Sequence, residues 1–402
     1  MSMTDGYPVI TYSDGDSIHQ HFPVTSRKTT NITIKRINPK SFVQFIAEQS
    51  SIGGIIGVVV NTVSKAQDTY SKLIGMISDC DILLIHSSFT STDRSEKESE
   101  IMLRACGRRI PQAKSTVVIG TQVIEQSLDL DFDLLITDIC PVDLLIQRIG
   151  RLHRHDNPRP GPFMVPTCVI LDNPEEDLDQ GSEAVYGRFH LLNTRRLIGD
   201  SISIPDDISN LVERAYSHLE SDHIAAGDED YRDAKYVNDL KMANLKKRSE
   251  AFQIPYPDNI RNISGWIRNP IIDQRDELAG VASVRDMDDS IEVVLVRGLS
   301  DGLHFLPWIR DGETINAGTF DEEMAFDLAG CTIRLPHRLT AGNRLTKVIG
   351  ELETRSSDIP EVLTRSMNMS DRMFLVLGGD LTTELNGFML RYSRERGLEI
   401  IE

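Results

Sequence analysis

Residues 115–138, STVVIGTQVIEQSLDLDFDLLITD, decide how this 402-residue chain is read. Two apolar runs, 116–119 and 133–136, flank a polar segment that reads as a short helix-like insert. Neither run alternates polar with apolar, which is the pattern of strands buried on both faces. Comparable runs stand at 55–60 (IIGVVV), 81–85 (DILLI) and 168–171 (CVIL), and helix-like text fills 62–78, 91–107 and 141–150 between them. This alternation predicts an α/β fold, a doubly wound parallel sheet flanked by helices. Such sheets carry function at the carboxyl ends of their strands. That rule singles out Asn61 and Thr62, His86, Ser87 and Ser88, Gly120, Thr121 and Gln122, and Thr137 and Asp138.

Past residue 172 the texture changes. An acidic, turn-rich link at 172–183 leads into helical text at 184–198 and 205–219, where Pro205, Asp206 and Asp207 suit a helix N-terminus. Residues 220–262 show no clear strands. Runs at 290–298, 302–309 and 330–336 read as antiparallel strands, and 371–392 as a hairpin turning at Gly378, Gly379 and Asp380. The expected division is a sheet domain over 1–172, a helical linker region over 173–262 and a mixed α+β accessory domain over 263–402.

Composition narrows the class. With 40% hydrophobic and 26% charged residues, the chain reads as an ordinary soluble globular protein. No apolar run is long enough to span a bilayer, and the first residues lack the pattern of a secretory signal. Five scattered cysteines with no CxxC pair predict a reduced, cytoplasmic protein without zinc. The net charge of −18 is uneven: residues 1–165 carry 17 basic against 18 acidic residues, and 166–402 carry 26 against 43. Phosphate binding is therefore expected of the first part, which holds five basic residues and no acid over 27–40, or of local patches such as 241–248.

Eighteen residues after Asp129 stands QRIGRLHR, residues 147–154, with arginines at i, i+3 and i+6 and a glycine between the first two. Taken alone, that spacing describes a solvated helix face. In sequence, Thr121 at a strand end, then Asp129, then the arginines resemble motifs V and VI on the second RecA-like domain of superfamily 2 helicases. VVVNTV (58–63) resembles motif IV, and LIHSSFTSTDR (84–94) the intermediate motif after it. With VYGRFHLLNTRRLI (185–198), IPDDISNLVERAY (204–216) and TIRLPHRL (332–339), the text resembles the type I CRISPR-associated superfamily 2 helicase–nuclease, in the subtype recruited by the Cascade complex.

The resemblance implies ATP hydrolysis in a cleft between two RecA-like domains. Arg151 and Arg154 would be the finger pair that brings charge to the γ-phosphate, with Gln147 nearby. Arg148 would belong to the ATP site or hold an acidic neighbour, and Asp129 would touch the ribose or orient a finger. Gly150 would supply the bend that aims the fingers, and His153 stands where many relatives have glycine. Asn61, Thr62, Ser87, Ser88, Thr121 and Gln122 would contact the backbone of single-stranded DNA.

The sequence contains no G-x-x-x-x-G-K-[ST] and no DExH box. The resemblance therefore implies the C-terminal half of the motor, inactive alone. Its partners would be an N-terminal HD nuclease with the first RecA-like domain, single-stranded DNA and a Cascade-type surveillance complex. ATP and Mg2+ would bind only once that N-terminal part completes the cleft. The alternative is a non-enzymatic module that binds DNA or the surveillance complex. Plainer readings stand beside the sharp ones: Asn61 and Thr62 as a helix cap, His155 and Asp156 as a loop pair rather than metal ligands, Trp266 and Trp308 as packed aromatics, and 245–248 as a surface helix.

Overall fold

The computed structural model describes residues 9–23, 29–106, 114–126, 128–216, 229–250, 291–316, 318–356, 359 and 373–401. A hairpin of β1 (Ile10–Ser13) and β2 (Ile18–His21) comes first, then β3 (Thr30–Ile37) and α1 (Phe42–Ser50). The unalternated runs become β4 (Ile55–Val59), β5 (Cys80–Ile85), β6 (Ser115–Gly120), β7 (Leu134–Asp138) and β8 (Thr167–Leu171). Between them lie α2 (Val63–Ile74), α3 (Ser91–Ala105), the single turn α4 (Val123–Gln126) and α5 (Val142–Ile149). After β8 follow α6 (Gln180–Tyr186), α7 (Arg188–Leu197), β9 (Ser201–Ile204) and α8 (Ile208–Tyr216).

Seven strands make one sheet in the order β5-β6-β4-β7-β8-β3-β9, with every pair parallel except β3 and β9. All residues of β4, β6 and β7 are buried, which is why their sequences do not alternate. Thr62 and Thr90 open α2 and α3, each Oγ1 accepting from a backbone N–H three residues on, at 3.3 Å. Mid-sheet, Gly57 makes room for Phe132, whose ring would stand 2.5 Å from any Cβ placed there.

The sheet reaches beyond the expected limits. β3 alternates, with Ile32 and Ile34 buried and Lys35 exposed. Arg36 donates to the Arg195 and Ile198 carbonyls at 3.2 and 2.7 Å, and Lys40 pairs with Glu176 at 3.0 Å. Arg36 and Lys40 are thus engaged within the protein, Lys35 is exposed, and Arg27 and Lys28 lie outside the described residues. β9 carries the sheet past the boundary expected at 172. Gly187, at φ 83°, divides the helical text of 184–198 in two, and α8 begins at Ile208 after a turn through Pro205.

Residues 219–288 form a unit of their own, described by one helix, α9 (Glu229–Glu250), on which 241–248 is exposed except for half-buried Leu245. The boundary expected at 262, and Trp266, fall outside the described residues. The other unit joins the sheet domain to the C-terminal segment: β10 (Glu292–Leu299), β11 (Gly302–His304), α10 (Glu322–Gly330), β12 (Thr332–Arg334), α11 (His337–Thr340), α12 (Arg344–Ser356), β13 (Met373–Leu377), β14 (Thr382–Leu385), β15 (Phe388–Ser393) and β16 (Gly397–Ile401). β10 pairs antiparallel with β11 and β12 but parallel with β13, so this sheet is mixed where antiparallel strands were expected. Gly378, Gly379 and Asp380 do turn the chain, but out of that sheet and into the antiparallel β14-β15-β16, so the expected hairpin is instead β14–β15.

The C-terminal segment is fastened along the start of α3. Buried Asp93 accepts from Trp308 Nε1 at 2.9 Å and from the Tyr392 hydroxyl at 2.5 Å. Thr90 N donates to that hydroxyl at 2.9 Å, and Leu398 N donates to the Ser88 carbonyl at 2.7 Å. No helix of the described residues is long and apolar enough to cross a membrane.

Candidate functional site

α5 ends at Ile149, and with it the helical spacing that made three arginines look equivalent. Arg148, still on the helix, is fully buried. Its Nε donates to Glu125 Oε1 at 2.7 Å, Nη1 to Thr137 Oγ1 at 2.7 Å and the Asp138 carbonyl at 3.2 Å, and Nη2 to Asn61 Oδ1 at 3.0 Å and the Tyr186 hydroxyl at 3.2 Å. A guanidinium has five N–H donors and a buried one needs an acceptor at each. All five are satisfied, which corrects the assignment of Arg148 to the ATP site: nothing of it is left for a phosphate. Burial also pushes the Tyr186 phenol up to about 12, keeping it a hydroxyl.

Arg151 and Arg154 lie beyond the helix, in a turn strapped to the residues that lead into β7. Phe132 N donates to the Arg151 carbonyl at 2.8 Å, and His153 N to the Phe132 carbonyl at 3.0 Å. The three aspartates of DLDFD divide the work. Buried Asp131 accepts from Arg154 N at 2.9 Å and from Arg159 Nη2 at 2.8 Å; buried Asp133 accepts from Arg159 Nη1 at 2.5 Å and from Ile55 N at 2.7 Å. Asp129 is exposed and pairs with Arg154 Nε at 2.7 Å and His155 Nε2 at 3.1 Å. His155 therefore faces a carboxylate, and among the described residues no three His, Cys, Asp or Glu side chains converge on a metal position.

The bend falls at His153, whose φ of 49° is in the left-handed region; Gly150 has a helical φ of −61° and does not make it. The His153 ring holds its place 3.2 Å from the Asp133 carbonyl. Arg151 Nη2 donates to the Glu125 carbonyl at 2.8 Å, while its Nε is buried without a partner. Burial, then the neighbouring Arg154 guanidinium, lower the Arg151 pKa from its ordinary value. The Arg154 side chain is 41% exposed, and Gln147 is exposed four residues before Arg151.

The proposed DNA-contact residues sit at the carboxyl ends of β4, β5 and β6, which are neighbours in the sheet. Ser87 is exposed, and Thr62 and Gln122 are half-buried. Asn61, Ser88 and Thr121 are each 2% exposed. Asn61 is spent on Arg148, the Ile139 carbonyl and Ser182, and Ser88 lies under Leu398, so burial takes both side chains out of the contact set. Gln122 Nε2 donates to the Asn61 carbonyl at 3.1 Å and the Tyr186 hydroxyl at 2.9 Å. The arginine turn lies beside the amino end of β7 instead, so the carboxyl-end rule finds one set of residues and not the other. Sequence reading also missed Glu125, Asp131, Arg159 and Tyr186. The repeated aspartates of 129–133 were the available signal for Asp131; Tyr186 is too distant in sequence to leave one.

A family model for the C-terminal part of the CRISPR-associated nuclease/helicase Cas3 matches residues 52–157, and a Cas3 C-terminal domain model matches 285–398. The chain belongs to the Cas3 family. The first match holds the arginine turn and Asp129; the second holds Trp308 and Tyr392. The CRISPR-associated nuclease/helicase Cas3 of Streptococcus thermophilus is 34% identical over 98% of this chain and 43% of its own length, so the chain spans less than half of that relative. The crystal structure of T. fusca Cas3-ATP aligns with a TM-score of 0.78 at 22% identity, over 96% of this chain and 45% of that one. A chain of a pre-nicking CRISPR RNA-guided surveillance complex aligns at 0.67 and 23% identity, over 95% and 46%. Both share the fold seen here.

Proposed function

We propose that this chain supplies the second RecA-like domain and the accessory domain of an ATP-dependent single-stranded DNA translocase that acts in CRISPR defence in the cytoplasm. One observation carries the reading: Arg148 is buried as a structural hub, while Arg151 and Arg154 leave the helix on a turn braced by Glu125, Asp129, Asp131 and Phe132. Phosphoryl transfer spreads negative charge over equatorial oxygens, and guanidiniums fixed beforehand stabilise it without reorganising at the moment of reaction. Asp129 sets Arg154, and the Glu125 carbonyl sets Arg151. Gln147, close by in sequence, would meet the γ-phosphate.

The residues fit a triphosphate, with an unpartnered Arg151 Nε and a half-exposed Arg154 as donors. Mg2+ bound with ATP would neutralise charge on the β- and γ-phosphates; no residue here is assigned to it. The phosphate-cradling loop would come from a first RecA-like domain, preceded by an HD nuclease, because this sequence has no such loop. Thr62, Ser87 and Gln122, with the backbone amide of buried Thr121, would line the DNA track, reading backbone rather than base. ATP in one Cas3 crystal structure and a similar chain within a surveillance complex support ATP as substrate and a Cascade-type complex as partner. The test is reconstitution: purified chain mixed with a separately produced HD nuclease and first RecA-like domain should gain ATPase activity that rises with single-stranded DNA. Chain that binds DNA yet never restores ATPase would point to a non-enzymatic binding module.

A further inference from the structure

Residues 328–350 contain Arg334, Arg338, Arg344 and Lys347 and no acid, inside a half of the chain where acids outnumber bases by 43 to 26. The structure folds this run into α11, a turn through Gly342 at φ 58°, and the start of α12. Arg338, Arg344 and Lys347 are all exposed. The two guanidiniums converge on one ring, lying 5.6 and 5.3 Å from the centroid of half-exposed Phe388, and Arg344 Nη1 donates to the Arg338 carbonyl at 2.9 Å. Among the described residues no carboxylate pairs with Arg338, Arg344 or Lys347, whereas Arg334 has Glu292 at 3.7 Å.

We infer that this α11–α12 turn, with Phe388 beneath it, is a sequence-blind contact surface for the phosphodiester backbone of nucleic acid, separate from the arginine turn of the sheet domain. Two like charges gathered on one ring without a counter-charge repel each other, and an anion relieves that repulsion. Planar guanidinium forks match phosphate oxygens in geometry as well as charge. The ring holds both forks by cation–π attraction and offers an apolar surface between them. β15 begins at Phe388 and reaches Tyr392, which is anchored on Asp93, so a strand held by the sheet domain carries the ring. Nucleic acid is preferred to an acidic protein because the proposed function makes this chain a DNA-handling one; on that point alone the inference rests on it.

The test uses the full chain without nucleotide and a fluorescently labelled single-stranded oligonucleotide, read by anisotropy across a salt series. R338Q/R344Q should weaken binding about tenfold at about 50 mM salt and lower the slope of log affinity against log salt by about 1.4, the share of two phosphate contacts. Circular dichroism should be unchanged. R338E/R344E should weaken binding further, and K72Q/K114Q, at exposed lysines already paired with Asp68 and Asp81, should leave it intact. Unchanged affinity and slope in R338Q/R344Q would overturn the inference. So would equal losses in K72Q/K114Q, or stronger competition by polyglutamate than by unlabelled oligonucleotide. Failure of the ATPase reconstitution with this binding intact would count against the motor reading only.

Discussion

At the scale of single residues, Glu125 carries two loads: its carboxylate neutralises buried Arg148 and its carbonyl holds Arg151. Removing one partner of a buried ion pair strands the other charge at a cost of about 3–5 kcal/mol. Glu125→Ala should therefore lower the urea midpoint sharply, while Asp129→Asn, at an exposed pair, should leave stability near wild type. Equal effects of the two would mean that Arg148 is not the hub described. This division could not be read from the sequence, because spacing makes Arg148, Arg151 and Arg154 one series. What separates them is the end of α5 at Ile149 and the left-handed residue at His153, both set by contacts with 129–133.

At the scale of elements, the parallel strands were legible because burial on both faces removes alternation, and β4, β6 and β7 are buried throughout. β3 was not, since the five basic residues over 27–40 pointed to phosphate rather than to a strand; its partners, α7 and Asp172, lie far along the chain. The segment 84–94 was recognisable as a motif, but not as a seam, because its partners come from β15 and β16. Within it, burial holds His86 neutral, its pKa down to about 3, with Ser88 N donating to Nδ1 and Nε2 beside the Arg396 carbonyl at 3.0 Å. The folded-state value is depressed, so this stabilisation is complete above about 6.5 and fades as pH falls toward 3. Each pH unit below 6.5 should cost about 1.4 kcal/mol. Thermal melts from pH 7.5 to 5.5 should fall more steeply for wild type than for His86→Gln, and parallel slopes would refute the role given to His86.

At the scale of the molecule, Asp93 ties the sheet domain to the C-terminal segment through Trp308 and Tyr392, which also stack with ring centroids 6.0 Å apart. Both layers should then melt together. Asp93→Ala, which leaves Trp308 and Tyr392 without their shared acceptor, should split the calorimetric transition in two, whereas a single transition would show the seam to be dispensable. The same coupling would make the arginine turn and the accessory domain move as one piece in the motor. In that motor Arg154 would act on the transferring phosphate. The decisive measurement is the turnover rate of the reconstituted, DNA-stimulated ATPase with Arg154→Ala. A loss of about 10³-fold or more in kcat with the fold intact is expected; turnover within a few-fold of wild type would rule that role out.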